Sequence, residues 1–273
     1  MSGGGGWSDA HCHLQEFTPP RGEGLAEVLR RAEVFGVRRF VVNGTGPGDW
    51  AAVARLAATC SGVVPQFGLH PWQADCGSDW ETPLKEYLLR FPQAGLGEIG
   101  LDLQLTEVPL EVQREVFGKQ LALAARLQRP CTIHAVGEVW DVLLEDVRTH
   151  RPPSVLLHAW GGGATRVGAW MEVDARFSFG GAVCREPRGK AVTMAVETVP
   201  LDRLMLETDA PWQHPRGQAY RQEPAFLLAV AEQVSRIKGV TLDTLRAVTE
   251  KNVDRLFGGK SAGDVAGGNA GRG

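Results

Sequence analysis

Eight short apolar or β-branched runs recur along this chain, and segments with helical periodicity fall between them. The runs are Trp7–Leu14, Arg39–Gly44, Val63–His70, Gly95–Gly100, Cys131–Ala135, Val155–Ala159, Phe177–Gly181 and Leu204–Thr208. Among the intervening segments, Gly24–Phe35 places Leu25, Val28, Leu29, Ala32 and Phe35 on one face, and Leu110–Leu127 repeats Val116, Gln120, Leu123 and Leu127 at helical spacing. Pro224–Ile237 and Leu242–Phe257 read as two further helices. Strands that alternate with helices must pair in parallel, because each helix carries the chain back across the sheet. Eight such units predict an α/β fold, a single (β/α)8 TIM-type barrel, for which ~250 residues is an ordinary size. An open doubly wound sheet is the runner-up. It is weakened because no G-x-G-x-x-G follows the first strand.

The ends differ from this pattern. Of the 34 glycines, four form the run Gly3–Gly6 and seven lie between Gly258 and Gly273. Such segments bury too little apolar surface to offset their ordering entropy. Residues 1–6 and 259–273 are therefore expected to be flexible, around one barrel domain spanning 7–258. The formal charge of −3 argues against a broad DNA-coating surface but leaves a local pocket open. No run approaches the length of a membrane span, and the N-terminus has neither the basic nor the apolar region of a secretory signal. Five scattered cysteines without a C-x-x-C pair read as reduced thiols in the cytoplasm. A monomer without a membrane partner is expected.

Polar residues that strands normally exclude recur at the ends of these runs. Period-two alternation puts Asp9, His11 and His13 on one face of the first strand. His70 ends the third run, Glu98 sits in the fourth, His134 in the fifth and His158 in the sixth, while Asp209 follows the eighth. In a barrel these positions fall on the C-terminal rim, where active sites of this fold lie. Five of the seven histidines share that bias, and a metal site explains them together. Six ligands, His11, His13, Glu98, His134, His158 and Asp209, exceed the needs of one catalytic zinc. Two divalent ions are expected, with Glu98 as the bridge, His11, His13 and Asp209 on one side, and His134 and His158 on the other. Imidazole with carboxylate suits Zn or Mn, and Mg where carboxylates dominate.

The motifs DAHCHL, GLHP, GEIGLD, LHAWGG and LETDAP, in this order, resemble the TatD family of metal-dependent hydrolases, within the amidohydrolase superfamily. The likeness continues through RQEPAFL and the closing N-x-x-RLFG helix. It implies a metal-bearing barrel and a deoxyribonuclease that trims DNA from the 3′ end with Mg or Mn. Carried over by position, it yields the same six ligands and adds His70 as a substrate contact. The family's usual Ser-Arg after the strand-five histidine is here Ala135 and Val136, the place where an arginine facing phosphate is expected.

The expected chemistry is two-metal hydrolysis, with Asp209, Glu98 and His70 as catalytic residues. Asp209 orients a water and accepts its proton, Glu98 bridges the ions, and His70 positions the scissile group. Asp102 and Glu207 are candidates for fixing the tautomers of ligand histidines. Phosphate contacts are expected from Arg185 and Arg188 after the seventh strand, with Arg216 and Arg221 after the eighth. Trp72, Trp160 and Trp212 either stack on bases or cap the core. DNA ends or a small phosphodiester are the expected substrates. The alternative is hydrolysis of a small ester, lactone or amide. Relatives of that kind often bridge their metals with a modified lysine near strands four or five, where this chain has none. A third class, a protein that holds the metals without catalysis, is disfavoured by the full ligand set.

Overall fold

The computed structural model describes residues 5–18, 24–77, 79–185, 190–213 and 222–258. Its strands are β1 (Trp7–Cys12), β2 (Val37–Asn43), β3 (Val63–Gln66), β4 (Leu96–Asp102), β5 (Cys131–Val136), β6 (Val155–Leu157), β7 (Ala175–Phe179) and β8 (Leu204–Leu206). The helices are α1 (Leu25–Val34), α2 (Pro47–Thr59), α3 (Glu81–Arg90), α4 (Leu110–Leu127), α5 (Trp140–His150), α6 (Val167–Met171), α7 (Lys190–Thr198), α8 (Leu227–Lys238) and α9 (Leu242–Phe257). Every strand pair is parallel, in the orders β1-β2-β3 and β4-β5-β6-β7-β8.

Backbone bonds join the two sheets into a ring. Phe67 N–H donates to Gly95 O and Gly97 N–H to Phe67 O, linking the end of β3 to β4. At the other seam, Asp209 N–H donates to His11 O and His13 N–H to Ala210 O. The eight runs are thus the eight staves of a barrel. Several strands are shorter than the sequence suggests: β3 ends at Gln66, β6 at Leu157 and β8 at Leu206. The ladder stops short of each polar residue, so His70, His158 and Asp209 sit on the loops that leave the strands, His158 in a turn. The apolar run alone could not mark where pairing stops.

All of β1 and β4 is buried, as staves covered on both faces must be. The first main core packs the helices against the outside of the ring. A second cluster joins Ala10, Val41, Val64, Leu156 and Met205 of the strands to Val253, Leu256 and Phe257 of α9. The helix α4 matches its apolar periodicity end to end, and Gln128 closes it in the left-handed conformation. Two glutamines interrupt its buried stripe and have specific duties. Gln120 accepts from Leu69 N–H (2.7 Å) and donates to Leu69 O (3.0 Å), while Gln113 does the same for Asp102 N–H (2.8 Å) and O (3.1 Å). One helix thereby clamps the loop that carries His70 and the end of the strand that carries Glu98.

Close backbone approach at the rim depends on glycine. A Cβ on Gly68 would lie 2.8 Å from the Gly97 carbonyl carbon, and one on Gly100 (φ +150°) would meet His134 O. Neither place tolerates a side chain without moving β4.

Candidate metal centre

The rim gathers the six expected ligands from five places on the ring. His11 Nε2 and His13 Nε2 lie 3.2 Å apart. Each is within 3.3–3.4 Å of Glu98 Oε2, and each is 3.4 Å from Asp209 Oδ1. His11, His13 and Glu98 each offer a ligand atom within 4.8 Å of the others, a spacing that could hold a metal ion, and Asp209 Oδ1 approaches both imidazole nitrogens from beside them. The other oxygen of Glu98 faces a second group. Oε1 is 2.8 Å from His134 Nδ1, 2.7 Å from His158 Nε2 and 3.7 Å from His70 Nε2, with the two imidazole nitrogens 3.2 Å apart. Glu98 therefore presents one oxygen to each of two nitrogen-rich groups.

The histidines are oriented by atoms behind them. His13 Nδ1–H donates to Asn43 O at 2.9 Å, which leaves the Nε2 lone pair facing the centre. Asp102 Oδ2 lies 3.5 Å from His134 Nε2, and Glu207 Oε1 lies 3.7 Å from His158 Nδ1. Glu207 is fully buried and is itself held by Ala159 N–H and the Ser178 hydroxyl. The ring of His158 stacks on that of His11, with centroids 4.0 Å apart. Asp9, on the same strand face as His11, accepts from Thr208 N–H at 2.9 Å and from the Thr208 hydroxyl. It thus fastens β1 to the residue preceding Asp209, whose own backbone is left-handed (φ +56°).

Burial and charge set the protonation of this group. Burial pushes Glu98 and Asp209 up, but the surrounding imidazoles prevail and hold both well below the usual carboxylate range. Burial pushes His13 down, yet the Asp209 and Glu98 carboxylates raise it to about 10. His70 is the contrast. Burial, with His134, His13 and His158 nearby, outweighs Glu98 and lowers it to about 3. Its Nδ1 accepts from Trp72 N–H (3.2 Å), so the proton of the neutral ring is on Nε2. Asp102 stays ionised near 2: burial raises it, but His134 and the Gln104 and Trp72 donors overcome that.

A cavity of about 260 Å³ opens over the centre, lined by His13, His70, Glu98, His134, His158 and Asp209 together with Thr45, Trp72, Ala135, Val136, Ala159, Trp212 and Gln213. Its lining contains no lysine or arginine among the described residues. Arg185, expected at a phosphate, closes the turn after β7 half-buried and outside this lining. Arg188, Arg216 and Arg221 lie outside the described residues. Of the three tryptophans, Trp160 is buried edge-on against Trp140 and Phe177 and belongs to the core, whereas Trp72 and Trp212 are half exposed at the cavity. The sequence reading missed the Asp9–Thr208 fastening and the two glutamine clamps. The polar interruptions in the apolar stripe of α4 were the available signal for the latter.

Comparison with known proteins shows the family to which this fold belongs. Residues 8–258 match the model of the TatD related DNase family. The chain is 32% identical over 243 residues to a protein of Klebsiella pneumoniae named 3′-5′ ssDNA/RNA exonuclease TatD, covering 85% of this chain and 91% of that one. It is 31% identical over 256 residues to the uncharacterized metal-dependent hydrolase YabD of Bacillus subtilis, covering 91% and 98%. The crystal structure of YjjV, a TatD homologue from Escherichia coli, superposes with a TM-score of 0.84 at 27% identity over 92% of this chain and 98% of that one. The chain belongs to the TatD family of metal-dependent hydrolases.

Proposed function

We propose that this protein hydrolyses phosphodiester bonds at the 3′ end of single-stranded DNA, using two divalent ions, Mg, Mn or Zn, held by His11, His13, Glu98, His134, His158 and Asp209. The observation that carries the reading is Glu98, whose two oxygens each face a separate pair of imidazole nitrogens. A carboxylate that only balanced charge would need one such group. The exonuclease name of the Klebsiella pneumoniae relative supports the substrate. Divalent cations bound there supply Lewis acidity, which acidifies water and neutralises charge on the phosphodiester oxygens.

The chain's own residues do the rest. Asp209 remains ionised and has its backbone fixed by His11 O, so its carboxylate orients the attacking water and accepts a proton from it. Neutral His70 carries its proton on Nε2 and donates a hydrogen bond to a substrate oxygen. Asp102 and Glu207 hold the rings of His134 and His158 in orientation. All these groups come from one chain, which supports action as a monomer. The five free cysteines support a reducing compartment such as the cytoplasm. No helix of the described residues is long and apolar enough to cross a membrane.

A second reading, hydrolysis of a small ester, lactone or amide, is favoured by one observation: Ala135 and Val136 add apolar surface to a cavity that has no lysine or arginine among its described lining residues. The deciding assay incubates metal-loaded protein with 3′- and 5′-labelled single-stranded DNA beside an ester and amide panel. Stepwise loss of the 3′ label with Mg or Mn is expected. Ester turnover without DNA cleavage would replace the first reading by the second. Asp209→Asn protein that keeps its metal but loses turnover would separate both from a metal-holding protein without catalysis.

A further inference from the structure

We propose that Trp72 and Trp212 form a two-sided aromatic seat for the terminal base of the substrate strand, and that this seat selects an unpaired end. The inference rests on the reading that the protein acts on nucleic-acid ends. Both indoles line the cavity over the candidate metal centre, and they remain 50% and 45% exposed. They are reached from different sides. Trp72 follows β3 and Trp212 follows β8, three strand steps apart around an eight-strand ring, so they reach the cavity from different parts of its rim.

Each tryptophan is tied to a residue of the site. Trp72 N–H donates to His70 Nδ1, and its indole N–H donates to Asp102 Oδ2 at 3.2 Å. Its ring stands edge-on to His70, with centroids 4.4 Å apart at 62°. Trp212 N–H donates to Asp209 O at 2.7 Å. The Trp72 indole is thus fixed before any ligand arrives, which lowers the entropic cost of stacking on it.

The remaining lining explains why stacking matters here. No lysine or arginine lies among the described lining residues, and Ala135 and Val136 offer only apolar surface. Stacking on a fixed aromatic face is the recognition this wall can supply, and it is tolerant of base identity. The cavity is small, about 260 Å³, and a base held between two indoles must be free of a pairing partner. A paired terminal base must leave its stack to enter.

The test uses metal-loaded protein and single strands whose last linkage is a phosphorothioate, so that binding is read with little turnover. A 2-aminopurine placed at the 3′ terminus should lose fluorescence on binding, and one placed ten nucleotides inward should not. Trp72→Ala should weaken binding of the terminal probe roughly tenfold and abolish its quenching. Trp72→Phe, which keeps a ring but loses the bond to Asp102, should retain quenching. Trp212→Ala should resemble Trp72→Ala. In turnover, the ratio of kcat/KM for an intact 3′ end to that for an abasic 3′ end should be about ten in the wild type and approach one in either alanine variant. Equal turnover of intact and abasic ends by the wild type, or quenching that survives both alanine changes, overturns the seat while leaving the nuclease reading in place. Wild-type protein that cleaves no DNA at all overturns the nuclease reading, and the seat with it.

Discussion

The two sides of the candidate metal centre are built differently. On the β1–β8 side, His11 and Asp9 are fully buried, His13 and Asp209 nearly so, and the supporting atoms are a peptide carbonyl and a threonine. On the β5–β6 side, His134 remains partly exposed and faces the cavity, and its supports are carboxylates, Asp102 for His134 and Glu207 for His158. The first side is a closed joint in the barrel, because the same backbone bonds that complete the ring also place Asp209. The second has no such joint, and its His134 is the most exposed of the six candidate ligands, in a cavity wall that His13 and Asp209 also help to line. If two ions bind as proposed, the closed side would retain its ion while the open side would exchange its ion and meet substrate.

The largest effect should come from the residue that belongs to both sides. Glu98→Ala should lower kcat/KM by ~10³-fold or more and abolish binding of both metal equivalents in isothermal titration. Retention of one full-affinity equivalent would show that Glu98 serves a single side and would break the comparison at its centre. His134→Ala should be less severe, with activity reduced by ~10²-fold and one equivalent still bound at near wild-type affinity. The reverse result, with the retained equivalent lost on His134→Ala and kept on His13→Ala, would exchange the roles of the two sides.

Which parts of this were readable in the sequence follows from how local each feature is. The barrel was legible because burial on both faces forces an apolar run at each stave, and a helix with one apolar face between staves. The cluster of candidate ligands was legible because histidine and carboxylate are costly at such positions, so their recurrence at strand ends needs a common cause. Strand ends were not legible, since the apolar run continues past the last ladder bond at β3, β6 and β8. The fastening of Asp9 to Thr208 spans 199 residues, and no local pattern reports a contact that distant. The division of Trp72 and Trp212 from Trp160 also needed the fold, because all three follow strands and only packing separates a core indole from a mouth indole.

The supporting residues sharpen the comparison at smaller magnitude. Asp102→Asn keeps the shape of the side chain but removes the charge facing His134 Nε2. It should weaken the open-side ion by about 10–100-fold and leave the other unchanged. Competition against a chelating dye, which resolves two affinities, checks this directly. Equal weakening of both ions would mean that Asp102 acts on the whole centre through Glu98.

The smallest effect is a pH dependence, and it distinguishes the closed side by sign. In the metal-free protein His13 is raised to about 10 from an ordinary 6.5, because the carboxylates of Asp209 and Glu98 outweigh its burial. At neutral pH this side therefore holds a proton that an incoming cation must displace. In His134→Ala protein, which isolates the closed-side equivalent, affinity should rise about tenfold from pH 7 to pH 8 and level off above pH 10. The same proton sets the stability of the metal-free fold. A folded-state pKa raised above the unfolded value stabilises fully below about 6.5, and that contribution is lost as pH climbs toward 10. Asp9, raised to about 8 by burial against its hydrogen bonds, works in the same direction from about pH 4 upward. Glu98 and Asp209, held low, give stability that is already complete at neutral pH and fails only in acid. Thermal unfolding of metal-free protein should therefore shift to lower temperature between pH 7 and pH 9, while metal-loaded protein, whose centre has already given up its proton, shifts less. A metal-free melting temperature that rose over that interval would mean that the closed side carries no such proton, and that its four donor atoms are held together by packing rather than by charge.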